Sequence, residues 1–324
     1  MFGLLISLGG ASMWGILQNL IATLTQFSFL GLATFVIVLI FKTSSTTNFA
    51  QGMLGVVGAF VTSYLISNAG SNDILGAAKL PDWSTLIILP ILGGVLVSFV
   101  FGLLIDVVIF RRAKYTNAVT KQIITMGIVI AINGLIPFVF GIANRISYPF
   151  SSSTINIPNT PLSIPEHTVA TLIIAILLIG GIFALLKFTK LGLGFRATAS
   201  NEKVANLMGV NTNVTNALSW AIAGALGALS AITFSASTGV YLNAGIMTNM
   251  QINAFYSSIL GGFQTFHGPL VGAFIFTFGQ SFIPMVLVKV GLSSWSNTVL
   301  YMAILIIVLI KPSGIIGKVA KKKV

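Results

Sequence analysis

Long apolar runs separated by short polar segments dominate this sequence. They lie at about residues 16–41, 52–67, 85–110, 122–142, 168–187, 214–236, 251–263, 268–289 and 297–311. Most approach the roughly 20 residues that an α-helix needs to cross the hydrocarbon core of a bilayer. Only 7% of the residues are charged, whereas a soluble domain carries about 25%. The sequence therefore predicts an all-α, polytopic membrane protein with about eight to ten spanning helices.

The positive charges are distributed unevenly between the two sides of these runs. If successive runs cross the membrane in alternating directions, fourteen lysine and arginine side chains fall on the side of the Lys-rich C-terminus. Only Lys79, Arg145 and Lys289 fall on the other side. Cytoplasmic loops carry an excess of lysine and arginine, so the C-terminus is expected in the cytoplasm. The net charge of +12 then reflects topology and does not indicate a nucleic-acid partner.

The apolar N-terminal segment, about residues 1–15, leaves the number of crossings open. It lacks the basic stretch of a secretory signal. It is compatible with an extra span, a re-entrant segment or a helix at the membrane surface. The alternatives are nine crossings, with the N-terminus outside, or ten, with the N-terminus inside.

Two polar, glycine-rich segments, residues 43–60 and 256–274, interrupt the apolar runs. Unwound backbone inside a membrane is tolerated only where protein or a water-filled cavity covers it, and paired interruptions indicate a transport pathway. We therefore expect the two breaks to face a shared cavity. The candidate pathway residues are Asn48, Gln51, Gly52, Gly261, Gly262 and Gln264. For Gly55, Gly58 and Gly272, close helix packing is the favoured role.

Residues 187–211 form a polar segment on the predicted cytoplasmic side, longer than a plain connecting loop. Ser200 or Asn201 can cap the N-terminus of a short helix, and Gly209 can end it. The mixture of small, apolar and polar side chains suits docking on a soluble protein, although a solvated helical loop remains the alternative. The candidate docking residues are Ala199, Ser200, Asn201, Glu202, Lys203, Val204, Ala205, Asn206, Leu207, Met208 and Gly209.

Motifs for chemistry or for an internal energy source are absent. The chain contains no cysteine, no HExxH, no GxSxG and no GxxxxGK[ST] sequence. Asp106 lies near the end of a span, where it can anchor to Arg111 or Arg112. The sequence therefore predicts no catalytic residue, no metal ligand and no cofactor. A transport protein of this kind is expected to take its energy from a partner.

Three segments resemble the permease subunits of branched-chain amino acid ABC importers. They are NFAQG at 48–52, FRATASNEKVANLMGVN at 195–211 and LGGFQTFHGPLVGA at 260–273, and the similarity covers about residues 25 to 311. The chain departs from the common pattern at Gln51, where many members have histidine, and at Gln264-Thr265, where a small residue is usual. These differences bear on the substrate more than on the mechanism.

The resemblance implies a type II importer permease that is not itself an enzyme. Residues 1–324 would form a single transmembrane permease domain, with a coupling segment at about 188–213 and residues Ala199–Gly209 in a cleft of the ATPase. The implied partners are cytoplasmic ABC ATPase subunits, a second permease (homologous or identical), an extracellular or periplasmic substrate-binding protein and membrane lipid. The implied location is the bacterial inner (cytoplasmic) membrane. The rival hypotheses are a sugar, nucleoside or urea permease, a stand-alone channel and, last, an enzyme.

Overall fold

The protein is a helical bundle with a two-stranded hairpin at one end. The computed structural model describes residues 13–317 except 45, 70–84, 114–116, 143–144, 146, 152, 159 and 238–240, and excludes the side chains of residues 68, 69, 85 and 86. The N-terminal segment discussed above lies outside this range up to residue 12. Within the described part the helices are α1 Met13–Ser44, α2 Gln51–Ala69, α3 Thr85–Leu104, α4 Ala118–Phe140, α5 Glu166–Phe188, α6 Lys190–Ser200, α7 Glu202–Leu207, α8 Thr212–Ser237, α9 Ile246–Gly261, α10 Gly268–Leu287 and α11 Ser296–Ile310.

Seven helices in the described residues are long and apolar enough to span a membrane, namely α1, α3, α4, α5, α8, α10 and α11, with α3, α10 and α11 counted together with their adjoining π or 3₁₀ turns. The prediction of a multi-pass, all-α membrane protein is confirmed. Two of the predicted runs form helices that are not among these seven. They are α2, which begins at Gln51 and has 19 residues, and α9, which has 16 residues and ends before Gly262.

Helices α1 and α8 form the centre of the bundle. Every residue of α1 from 28 to 40 is buried, and α8 is buried over most of its length. A helix that is apolar all round must be covered on all sides by protein or lipid. α1 contacts α5, α8, α9 and α10, while α8 contacts α2 and α3, so both helices are covered mainly by protein.

Glycines bring α2, α3 and α8 into close contact. A Cβ on Gly55 of α2 would lie 2.4 Å from the carbonyl oxygen of Gly227 in α8. A Cβ on Gly224 of α8 would lie 2.0 Å from the carbonyl oxygen of Ser98 in α3. Small residues let helix backbones approach in this way, and dispersion contacts stabilise the pair. The predicted packing role of Gly55 is confirmed, and Gly58 and Gly272 lie in equally tight crossings with α3 and α9.

The outer helices expose apolar side chains. Phe138 in α4, Leu177 in α5 and Leu309 in α11 are 86%, 67% and 72% exposed. A soluble protein rarely exposes apolar surface on this scale, whereas lipid covers it at no cost.

One end of the bundle, called here the basic end, carries Lys42, Arg111, Lys121, Lys187 and Arg196. The ends of α1, α3 and α5 and the starts of α4 and α8 meet there, together with α6 and α7.

The opposite end carries Arg145, as the charge pattern predicts. Its guanidinium donates to Ser67 Oγ (3.4 Å) and to the carbonyl of Phe140 (3.1 Å), and its backbone pairs with that of Leu242. The hairpin of β1 (Thr154–Asn156) and β2 (Ser163–Pro165) lies next to the start of α5 at this end.

A π-helical segment, Ile105–Phe110, continues α3 to the basic end. The N–H of Arg111 donates to the carbonyl of Asp106 (2.8 Å), which is the wider spacing of a π-helix. Asp106 is 5% exposed, so its side chain does not extend to the surface as predicted; among the described residues it makes no ion pair within 4 Å, and Arg111 acts on it only at longer range.

Candidate functional site

The first break lies deep inside the bundle. α1 ends at Ser44, α2 begins at Gln51, and Thr46 to Ala50 between them are not helical. Thr46 and Asn48 are 0% exposed and Gln51 is 3% exposed. The Gln51 side chain contacts Ala223, which lies about 16 Å along α8 from its start at the basic end. The structure therefore places Asn48, Gln51 and Gly52 at membrane depth.

Hydrogen bonds within the first break satisfy its side chains. Asn48 Oδ1 accepts from the N–H of Ala50 (2.9 Å), and Asn48 Nδ2 donates to Gln51 Oε1 (3.2 Å). Gln51 Nε2 donates to the carbonyl of Ala223 (2.9 Å). Gly227 admits this amide, because a Cβ there would lie 2.6 Å from Gln51 Nε2. Buried polar groups without such partners would cost several kcal/mol, roughly 2–7 each.

Gln251 in α9 completes the break and was not among the predicted pathway residues. Its Oε1 accepts from the N–H of Gly52 (2.6 Å), and its Nε2 donates to the carbonyl of Phe49. Both backbone groups lie at the start of α2, where an N–H has no partner within the helix. One feature of the sequence could have indicated a buried role for Gln251, because it is a polar residue at the edge of an apolar run.

The space beside the first break is closed in this conformation. A cavity of about 10 Å³ lies between Gln51, Gly52, Gln251 and α1. This volume suffices for about one water molecule and not for an amino acid.

The second break lies at the basic end and not at the level of the first. Gly261 ends α9, and Gly262 turns the chain with a φ of 96°. The carbonyl of Gln264 accepts from Lys42 Nζ (2.6 Å), and the Gln264 side chain is exposed. The C-terminal segment packs on this turn, since the N–H of Ile315 donates to the carbonyl of Leu260 (2.8 Å).

The structure does not bring the two predicted groups together. No described hydrogen bond joins Asn48, Gln51 or Gly52 to Gly261, Gly262 or Gln264. Gly261 is placed by packing, because a Cβ on it would lie 2.0 Å from the carbonyl of Gly268. The cavity beside the first break and the cavity beside Thr265 and His267 have no lining residue in common.

A short helix at the basic end occupies the predicted docking segment. Asn201 is its N-cap, and the side-chain oxygen accepts from the N–H of Val204 (3.1 Å). Gly209, with a φ of 86°, follows its end, and the N–H of Val210 donates to the carbonyl of Ala205 (3.0 Å). This is a Schellman motif. The predicted cap at Asn201 and the stop at Gly209 are confirmed.

The docking segment is two helices instead of one. Ala199 and Ser200 end α6, and Asn201 breaks the helix with an extended backbone before α7 begins. Glu202 accepts a hydrogen bond from Asn216 Nδ2 (3.0 Å), which attaches α7 to α8.

The outer face of α7 is apolar and uncovered. Leu207 is 87% exposed, Met208 is 80% exposed and Val204 is 52% exposed, while Ala205 faces inward and is buried. Lys203 and Asn206 flank this face and are also exposed. Apolar side chains projecting from the basic end indicate a surface for a protein partner.

Within the described residues, no group of three histidine, aspartate or glutamate side chains is close enough to hold a metal ion.

Comparison with known proteins identifies a family. The family described as "Branched-chain amino acid transport system / permease component" matches residues 19–309. The chain is 23% identical over 315 residues to the high-affinity branched-chain amino acid transport system permease protein BraD of Pseudomonas aeruginosa, covering 95% of this chain and 98% of BraD.

Two further relatives extend the comparison. The chain is 25% identical over 283 residues to the permease protein LivH of Salmonella typhimurium, covering 86% of this chain and 87% of LivH. It is 33% identical over 139 residues to the autoinducer 2 import system permease protein LsrC of Klebsiella pneumoniae, covering 42% of this chain and 40% of LsrC. No solved structure matches the chain significantly. Because the family match extends over nearly all the described helices, the chain belongs to the permease components of branched-chain amino acid transport systems.

Proposed function

We propose that this chain is a membrane-spanning permease subunit of an ATP-driven importer, which moves branched-chain or similar apolar amino acids by alternating access. The observation that carries the proposal is the first break, a neutral polar segment buried at membrane depth. It is supported by family membership and by the exposed α7 helix. In this proposal residues 1–324 form one permease domain, and residues 188–213 form its coupling segment.

The first break suits a transport pathway because it can open without exposing a buried charge. Its polar groups are amides and backbone dipoles, contributed by Asn48, Gln51, Gly52 and Gln251. Neutral dipoles can bind the ammonium and the carboxylate of an amino acid with an affinity low enough that the amino acid is released again. A fixed cation at this depth would instead retain the carboxylate. Specificity would then rest mainly on the external binding protein.

The α7 helix supplies the connection to an energy source. We place the basic end in the cytoplasm of a bacterium, since that end carries most of the described positive charge. There the exposed Val204, Leu207 and Met208 would pack into a cleft of an ATPase subunit. The hydrogen bond from Asn216 to Glu202 would transmit motion of α7 to α8, which contacts the first break through Ala223.

The full complex would contain two ATPase subunits, a second permease and an external binding protein. Gln264, Gly261 and Gly262 lie at the basic end, so they would line the exit of the pathway and not its middle. The match to LsrC, a permease of an autoinducer 2 import system, covers less than half of the chain and supports a cargo other than an amino acid as the alternative.

Reconstitution in proteoliposomes tests the proposal. The chain is combined with candidate ATPases, a second permease and a binding protein from the same organism, and uptake of labelled leucine, isoleucine and valine is measured. We expect uptake that requires both ATP and the binding protein. Uptake that proceeds without ATP would identify a facilitator, and ATP-driven uptake of only a sugar-like solute would favour the alternative cargo.

A surface variant tests the coupling role separately. Replacing both Leu207 and Met208 by serine removes apolar area without disturbing the core, because both side chains are exposed. Truncated anchor residues at the centre of an interface cost about 2 kcal/mol or more, so ATPase co-purification should fall roughly tenfold or further. Tyr241→Ser, at the opposite end and 61% exposed, is the matched control and should retain the ATPase. Unchanged co-purification of the double variant would refute docking through α7.

A further inference from the structure

A polar cavity of about 410 Å³ lies at the basic end between α7, the start of α8, the start of α4 and the π-helical segment. It is about forty times larger than the void at the first break and is separate from it. Its walls include two carboxylates, Asp106 and Glu202, and the cationic side chains of Arg111 and Lys121. None of the predicted pathway residues lines this cavity. Its α7 wall consists of Glu202, Lys203 and Asn206, whereas the exposed Val204, Leu207 and Met208 of the docking face lie outside it.

Asp106 is a buried residue whose side chain lines this cavity. The residue is 5% exposed, and among the described residues no hydrogen bond or ion pair reaches its side chain. Arg111 and Lys121 lie close enough to act on it electrostatically but do not contact it. An ionisable side chain within a membrane-spanning helix is energetically costly. Such residues are therefore rare, and they commonly mark functional sites. Its position in a π-helical segment is a second mark of a functional region.

Asn216 contributes a second free acceptor to the same cavity. Its Nδ2 donates to one carboxylate oxygen of Glu202, Oε1 (3.0 Å). Its Oδ1 is buried and accepts no hydrogen bond in the described part of the chain. Most buried polar atoms in folded proteins have a partner, so an unpaired acceptor in a cavity wall indicates a missing donor.

The free groups in the cavity are of two complementary kinds. Asp106 and Asn216 Oδ1 need donors, and Arg111 and Lys121 can donate to an anion. A metal cation would satisfy only the first pair and would be repelled by the second. A phosphate would satisfy only the second pair. A molecule with an ammonium and a carboxylate a few ångströms apart satisfies both, and Phe110 in the wall offers an apolar surface beside them.

We propose that this cavity binds a free zwitterionic α-amino acid with an apolar side chain, the ammonium against Asp106 and Asn216 and the carboxylate against Arg111 and Lys121. The choice of ligand rests on the proposed function, since such a molecule would be the cargo released at this end. Because Glu202 and Asn206 of α7 form part of the wall, a bound amino acid holds α7 against α3 and α8. Accumulated product therefore slows further import. A ligand shifts a conformational equilibrium in this way when it binds one state better than the other.

Equilibrium binding tests the site directly. The whole transporter complex, without its binding protein, is placed in lipid nanodiscs and titrated with labelled leucine. Leucinol, which lacks the carboxylate, and 4-methylpentanoate, which lacks the ammonium, are the competing probes. We expect leucine to bind and each analogue to compete at least about tenfold less well, because each loses a charge-assisted contact. Equal competition by either analogue would overturn the zwitterion assignment.

Two pairs of variants locate the binding. Asp106→Asn and Arg111→Gln should each weaken leucine binding roughly tenfold. Glu166→Gln, a carboxylate at the opposite end, and Arg112→Gln, an exposed arginine outside the cavity wall, are the controls and should bind as the wild type does. Arg111 is exposed, so its variant keeps the test valid even if Asp106→Asn fails to fold. Unchanged binding in a folded Arg111→Gln variant would overturn the proposal.

Transport measurements separate this inference from the proposed function. Proteoliposomes are prepared with leucine preloaded on the ATPase side, and the initial rate of labelled leucine import is measured. We expect preloading to lower the rate in the wild type and not in Arg111→Gln. ATP-driven import that is insensitive to preloading would refute the product site alone. A complete lack of amino acid import would refute the proposed function.

Discussion

Replacing Gln251 by leucine is the sharpest test of the first break. The leucine side chain has nearly the same volume but cannot form hydrogen bonds. Two backbone groups then lose their partner, the carbonyl of Phe49 and the N–H of Gly52. Neither group has another described hydrogen bond, and the cavity beside them has room for about one water molecule.

The magnitude follows from the number of groups left unpaired. Each unsatisfied buried backbone group costs about 1–3 kcal/mol. Two such groups predict that the free energy of unfolding falls by roughly 2–6 kcal/mol, and the fall will be near the lower value if the break relaxes. Loss of these two hydrogen bonds also removes the attachment of the start of α2 to α9. Because the first break is the proposed pathway, the transport rate should fall as well.

Reversible unfolding in mixed detergent micelles, followed by tryptophan fluorescence, measures the free energy. Asn249→Leu is the matched control, since Asn249 lies two residues away on the exposed face of α9. A surface change of this kind should stay within about 0.5 kcal/mol of the wild type. If Gln251→Leu is as stable as Asn249→Leu, the two hydrogen bonds do not hold the break and the reasoning is wrong.

Three further predictions address packing, the α7 stop and access to the breaks. Gly224→Ala should destabilise the protein by about 1–3 kcal/mol, because its Cβ would lie 2.0 Å from a carbonyl oxygen of α3. Gly127→Ala, with no neighbour within 4 Å, should instead be neutral or slightly stabilising in the same unfolding assay. Gly209→Ala should lower the stability of the α7 turn by about 1–2 kcal/mol, because the φ of 86° at this position disfavours a Cβ. A protease should then cleave the chain near α7 faster than in the wild type, and equal cleavage rates would contradict this prediction. A cysteine at Gln264 should react rapidly with a water-soluble thiol reagent, while one at Gln51 should react only during ATP-driven turnover, so fast labelling at Gln51 in the resting state would contradict the closed break.

The sequence alone determined the features that depend on local or compositional physics. Apolar runs of spanning length must lie in lipid or protein, so the membrane class and most helices could be predicted. The ends of α7 could also be predicted, because the cap at Asn201 and the turn at Gly209 require only their own residues and near neighbours. The polar run before Gln51 also predicted an unwound segment, because polar residues interrupt the apolar pattern there.

Only the tertiary structure decided which distant groups meet. Gln251 holds the first break from 199 residues away, and nothing in its local sequence specifies that contact. The second break is polar and glycine-rich like the first, yet it lies at the basic end, where Gly261 ends α9. The cavity at the basic end is likewise formed by residues from separate segments, among them Asp106, Asn216 and Arg111. Contacts between distant segments depend on how whole helices pack, and that packing is set by the summed fit of many side chains, such as the glycines of α2, α3 and α8.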